Sequence, residues 1–242
     1  QCNAVPIVLS ALNKLTYRGY DSAGLAVALP TSIEIPISTT SQNITLIQNK
    51  NLSQTTQNTP LDVSTLPGAP QPYKIARRRA PGKINNLFQQ CCDQPIAGST
   101  IIGHTRWATH GPATTCNAHP HSSNHFTLVH NGIIENYKAL KNDWIDPNIH
   151  EFTSQTDTEH VVALLETFYE YAIKEYISLY HNTNTSVENM DKNDIILPSW
   201  VILRIISCIC NLLEGSFAFG IIYSADPYSI YALKRESPLC IG

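Results

Sequence analysis

Between Thr31 and Pro70 the chain carries little that could drive folding: 21 of these 40 residues are Ser, Thr, Asn or Gln, and only Glu34, Lys50 and Asp62 are charged. Such a stretch buries too little apolar surface to offset its ordering entropy. It is therefore expected to be a mobile insertion, since a structureless loop of this length is rare inside a compact domain. A second polar insertion is expected at 181–197. The segments outside them must build the core. With 242 residues, 43% of them hydrophobic, the chain has material for one large domain or two small ones.

Helical and strand periods alternate irregularly in those segments. From Asn3 to Tyr17, Val5, Val8, Leu9, Leu12 and Leu15 recur at helical spacing. Arg18-Gly19-Tyr20-Asp21-Ser22 breaks the pattern, and Ala23 to Leu29 reads as a strand. Order resumes near Tyr73, with a short helix over Lys83 to Gln90. Ile101 to Ala108 and His125 to His130 read as strands, and Asn131-Gly132 after the second is a turn signal. Thr156-Asp157-Thr158-Glu159 fits a capping box, followed by a helix with Val161, Leu164, Leu165, Phe168, Ala172, Ile173, Tyr176 and Tyr180 on one stripe. Pro198 opens another helix that Gly215 should end. Phe217 to Tyr223 and Tyr228 to Leu233 suggest a hairpin turned through Ala225-Asp226-Pro227. Without strict βαβ alternation, the pattern argues for layered α+β.

With 16 basic and 19 acidic side chains the net charge is −3. Broad nucleic-acid binding has little electrostatic support, and the short run Arg77-Arg78-Arg79 does not change that. The seven cysteines form no regular framework, which favours a reduced, cytosolic protein, with Cys208 and Cys210 acting as small hydrophobes. The apolar run Trp200 to Leu213 is interrupted by Arg204, falls short of the roughly 20 residues of a membrane span, and reads as a core helix. No signal peptide is visible, and the chain begins with Gln1 rather than Met, so the N-terminus shown need not be the biological one.

Chemistry-bearing residues concentrate in one region: six of the nine histidines lie between His104 and His130. Arg106 in Gly103-His104-Thr105-Arg106-Trp107-Ala108-Thr109-His110-Gly111 should emerge at a strand end, where its guanidinium could hold a carboxylate or sit in a surface ion pair. Asn131 and Gly132 could stabilise an oxyanion or simply form a hairpin turn. Asp157, in the first turn of a helix, could bind an amino group or merely favour the helix dipole. His119, His121, His125, His130 and Cys116 could supply zinc ligands, although their spacing matches no regular zinc pattern. No phosphate-loop or GxGxxG motif occurs.

Several of these segments together resemble one family. Tyr17 to Gly24 (YRGYDSAG), Gly103 to Gly111 (GHTRWATHG), Asn117 to His121, His130 to Asn136 and Thr156 to Glu159 are similar, in order, to the glutamine-hydrolysing class II amidotransferase domain of the glutamine–fructose-6-phosphate aminotransferase family. Glu236 to Gly242 resembles a later family segment. The likeness covers about two-thirds of the chain, with the polar stretches as insertions.

The resemblance implies an N-terminal-nucleophile hydrolase type fold, a four-layer αββα sandwich of class α+β, over a single glutaminase domain. It implies attack on the carboxamide of L-glutamine by an N-terminal cysteine thiolate, with the free α-amino group as base and no cofactor. Ammonia would pass to sugar isomerase domains of a longer chain, to make glucosamine 6-phosphate from fructose 6-phosphate. By the same likeness Arg106 would hold the α-carboxylate; Trp107, Thr109 and His110 would shape the pocket; and Asp157 would bind the α-amino group. Asn131 and Gly132 would form the oxyanion hole, and Arg18 and Gly19 would support the nucleophile. The implied setting is cytoplasmic and homodimeric through the parent protein, without nucleic acid or membrane.

One departure stands out. The family begins Cys-Gly-Ile-(Phe or Val)-Gly, whereas here Cys2 precedes Asn3-Ala4-Val5, lies 16 residues before Arg18, and has its nitrogen in an amide with Gln1. An amide nitrogen cannot act as the base. The expectation is a domain incomplete at both ends, with the nucleophilic cysteine and the sugar domains outside it and no hydrolysis by this segment alone. The alternative is a degenerate, non-catalytic glutamine-binding or regulatory module.

Overall fold

The computed structural model describes residues 3–29, 74–108, 111–181 and 195–240, with side chains to Ser178 in the third segment. The 31–70 insertion, Cys2, Thr109, His110 and the Tyr180 side chain lie outside them.

Strand β1 (Ser22–Leu29) organises the first sheet, in the order β2-β1-β3, with β2 (Lys74–Pro81) and β3 (Ile101–Arg106) both antiparallel to it. Its residues alternate between two buried faces. Ala23, Leu25 and Val27 meet helices α1 (Val5–Lys14) and α2 (Ile84–Asp93), while Ala26 and Ala28 join Ile102, Ile222, Ile75 and Val129 between the sheets. Helix α1 is amphipathic as its spacing requires, with Val5, Leu9 and Leu12 buried. Asn3 Oδ1 accepts the Val5 N–H at 3.1 Å, and one turn of 3-10 helix (Thr16–Arg18) follows the helix.

The second sheet has the order β4-β5-β6-β7, all antiparallel: β4 (His121–Ser122), β5 (Phe126–Ile134), β6 (Gly215–Tyr223) and β7 (Asp226–Arg235). Phe126, Leu128, Phe217, Phe219, Ile221 and Tyr223 point to its helix-covered face. There they pack on α3 (Tyr137–Asp143), α4 (Asp157–His181) and α5 (Ser199–Leu212), giving the largest apolar cluster. Helices thus cover the outer face of each sheet, and a smaller cluster of alanine and β-branched residues fills the gap between.

Several expectations need correction. Asn131-Gly132 is not a turn: both residues lie within β5, opposite Ala218 and Phe217 of β6. The 181–197 insertion is too long at both ends, since α4 runs to His181 and Ile195 and Leu197 are buried in the core. Its polar average hid the apolar Ile195-Ile196-Leu197 run. Gly215 starts β6 rather than ending α5, and the β6–β7 turn is Ser224-Ala225. Helix α5 is buried on one face only, through Ile202, Ile205, Ile206 and Ile209; Trp200, Leu203 and Cys208 are exposed. No helix among the described residues is long and apolar enough to cross a membrane.

Candidate active site

The end of β3 is fixed by the turn before β1. The Asp21 N–H donates to Arg106 O at 3.1 Å, and Asp21 Oδ2 accepts the Ala108 N–H at 2.8 Å. That second bond takes Ala108 out of sheet pairing, so the strand stops at Arg106 and not at Ala108 as its sequence suggested. Gly19 packs so closely behind this corner that a Cβ there would lie 2.8 Å from Arg106 C and from Thr105 O. Arg106 is only 4% exposed, and its guanidinium donates to Gly111 O at 3.2 Å and Pro112 O at 3.3 Å. Burial lowers its pKa, while the charges of Asp21 and Asp157 act in the opposite direction.

Asp157 opens α4. Its Oδ2 accepts the Ile134 N–H at 2.8 Å, which ties the helix start to the end of β5. Thr156 caps the helix by accepting the Glu159 N–H at 3.3 Å, but Glu159 does not complete a capping box. Buried beneath the preceding loop, it accepts the N–H groups of Thr153 and Ser154 at 2.9 and 2.6 Å. Burial pushes the Glu159 carboxyl up, and hydrogen bonds from His150, Ser154 and Thr153 more than reverse this, holding it well below the usual carboxylate range.

These strand and helix ends enclose a cavity of about 280 Å³, close to the ~300–1,000 Å³ of small-molecule sites. Arg18, Arg106, Trp107, Asn131, Gly132 and Asp157 all line it. Gly19 lies behind the wall rather than on it. Trp107, 57% exposed, leans on Tyr20 at 5.4 Å between ring centroids.

His104, His119, His130 and Thr158 also line the cavity, a role their sequence positions did not reveal. Thr158 Oγ1 joins the imidazoles, 3.0 Å from His130 Nδ1 and 3.2 Å from His119 Nε2. His121 Nε2 lies 3.1 Å from Thr156 Oγ1. Among the described residues His119, His121, His130 and Cys116 do not bring three ligand atoms within reach of one ion: the three imidazoles bond to threonines. His125 instead pairs with buried Glu166 at 2.5 Å; with Glu170 these two form the described group whose ligand atoms come within reach of one ion.

Burial depresses the His104 and His121 imidazoles to about 3, helped for His104 by His130 and for His121 by Arg79. An unfolded histidine titrates near 6.5, so between that pH and about 3 the unfolded chain binds protons that these folded sites refuse. Their contribution to stability is complete above pH 6.5 and is lost progressively as pH falls toward 3. The depressed Glu159 carboxyl adds a further loss once pH drops below about 4.5. Urea unfolding at pH 7, 6 and 5 should show stability falling by on the order of 1 kcal/mol per pH unit, before most carboxylates protonate. A flat profile down to pH 5 would contradict the burial of neutral imidazoles.

A second, more apolar cavity of about 490 Å³ adjoins the first and shares His104, His130 and Asn131 with it. Its other walls include Phe219, Ile230 and Leu239.

The sheet pair, the buried guanidinium at one strand end and the carboxylate at the facing helix start go together with sequence similarity. Residues 91–181 match the glutamine amidotransferase domain family, and the chain carries a class II glutamine amidotransferase domain. Over 99% of its length it is 35% identical to the isomerizing glutamine–fructose-6-phosphate aminotransferase of Streptococcus pyogenes serotype M6, and 32% identical to that of Clostridium acetobutylicum. It spans 28% of the length of each of these relatives. Among solved structures, the glutamine phosphoribosylpyrophosphate amidotransferase of B. subtilis matches with a TM-score of 0.53 at 18% identity, covering 93% of this chain and 34% of that one. That likeness concerns the fold.

Proposed function

We propose that the first cavity binds one molecule of L-glutamine, on a fold of the N-terminal-nucleophile hydrolase type. The observation that carries the reading is the placing of Arg106 and Asp157 on one small cavity beside Asn131 and Gly132. Arg106 receives the α-carboxylate through its planar fork, and Asp157 receives the α-ammonium. The Asn131 amide and the backbone at Gly132 face the carboxamide, where they stabilise the charge that develops on its oxygen during acyl transfer. Trp107 closes the rim, and Arg18 supports the edge on which the attacking group must arrive.

None of the six described cysteines lines this cavity; Cys240 lines the neighbouring one. We expect the 242-residue chain to bind glutamine without hydrolysing it, because no described thiol lines the cavity and the Cys2 nitrogen, in an amide with Gln1, cannot act as the base. By the relatives' activity, we infer that the nitrogen released goes to fructose 6-phosphate in isomerase domains of a longer, dimeric parent protein. Six free cysteines fit a reducing, cytoplasmic setting.

Calorimetric titration should give saturable heat with L-glutamine and none with D-glutamine; no heat with L-glutamine overturns the reading. Glutamate release by the chain itself would overturn the expectation of binding without hydrolysis. A cavity lined by no described thiol also suits a glutamine-binding module without chemistry. A version with a Cys-Gly-Ile-Val-Gly strand added before Asn3 separates the two: release supports the enzyme, binding without release the module.

A further inference from the structure

Arg106 ends β3 and Asp157 opens α4, and one buried side chain ties together the loops beside them. Asn117 is 3% exposed. Its Nδ2 donates to Pro112 O at 2.9 Å, the same carbonyl that accepts from Arg106 Nη1 at 3.3 Å. Its Oδ1 accepts the Gln155 N–H at 2.9 Å, two residues before Asp157 and directly before the capping Thr156. Both partners are backbone groups, one an acceptor and one a donor, so the orientation of the amide is fixed by chemistry. Gly111 completes the arrangement: its φ is +74°, and a Cβ there would lie 2.6 Å from Asn117 Nδ2 and 3.0 Å from Gln155 Cβ.

We propose that Asn117 is a positioning residue that sets the gap between the carboxylate-binding and ammonium-binding groups of the cavity. The proposal rests on the amino-acid-binding reading above. Few side chains can replace it. Aspartate keeps the acceptor for Gln155 but turns a carboxylate oxygen toward Pro112 O, and leucine fills similar space with neither group. The gap matters only to a ligand held at both ends. A molecule gripped at one end can follow its loop, whereas one gripped at two must match the separation.

The test compares L-glutamine with two half-ligands, glutaramate (no α-amino group) and 4-aminobutanamide (no α-carboxylate), by NMR titration of the 242-residue chain. In Asn117→Leu, which loses both side-chain hydrogen bonds, L-glutamine should weaken about tenfold or more, the size of one hydrogen bond to the ligand itself. Each half-ligand should weaken by less than about threefold, and Asn117→Asp should fall between native and Leu. The Gln155 amide should exchange with solvent faster in both variants. Equal weakening of all three ligands, or unchanged Gln155 exchange, overturns the positioning role while leaving the glutamine site intact. A native chain that binds none of the three instead overturns the glutamine reading, and the positioning role falls with it.

Discussion

Gly132→Ala is expected to cost more than about 4 kcal/mol of folding stability, a large share of the ~5–15 kcal/mol that holds a domain together. The glycine sits mid-strand at φ +136°, a conformation that side chains rarely adopt. A Cβ there would land on Ser216 O and lie 2.8 Å from Phe217 Cα. That backbone cannot step aside, because β6 is paired with β5 on one side and β7 on the other. The neighbouring substitution Asn131→Ala separates fold from site. Asn131 is exposed, so its loss should leave stability within about 1 kcal/mol. Urea denaturation followed by circular dichroism checks both. A Gly132→Ala protein with the native midpoint would show that the ladder at this point is looser than described.

Arg106→Lys should weaken L-glutamine roughly 100-fold while leaving a ligand without the α-carboxylate nearly unaffected. Lysine keeps the charge but loses the fork, and a paired, charge-assisted contact contributes about 1.5–3 kcal/mol. The change also removes donors from the Gly111 and Pro112 carbonyls, so the variant's melting temperature must be read beside its affinity. Titrations with L-glutamine and 4-aminobutanamide measure the contrast. Equal losses for the two would mean that Arg106 supports the loop without meeting the ligand.

The parts of this site legible in sequence are those governed by near neighbours. The strand that carries Arg106 is announced by its own Ile101-Ile102 start, although its stop at Arg106 is set from afar, by Asp21 accepting the Ala108 N–H across 87 residues. Asp157 opens a helix because Thr156 caps it. Other features depend on distant partners and left weaker traces. Asn131-Gly132 carries the local signature of a turn, yet pairing with Ala218 and Phe217, more than 80 residues away, keeps it in a strand. Strand β2 shows no apolar alternation across Lys74–Pro81, because an edge strand covered on one side can be rich in arginine. The imidazoles invited a metal reading because sequence shows their number but not the threonines that occupy them. Asn117 was visible only as part of a motif, since its partner Gln155 lies 38 residues on.

The most direct test adds L-glutamine to the nitrogen-15-labelled chain and follows the amide signals of Gly132 and Thr158 together with the Arg106 side-chain signal. If one free amino acid is gripped at all three places, these signals shift together and saturate with a single dissociation constant, and D-glutamine leaves them unmoved. Signals that stay still, or that titrate with different midpoints, would show that the three groups do not share a ligand.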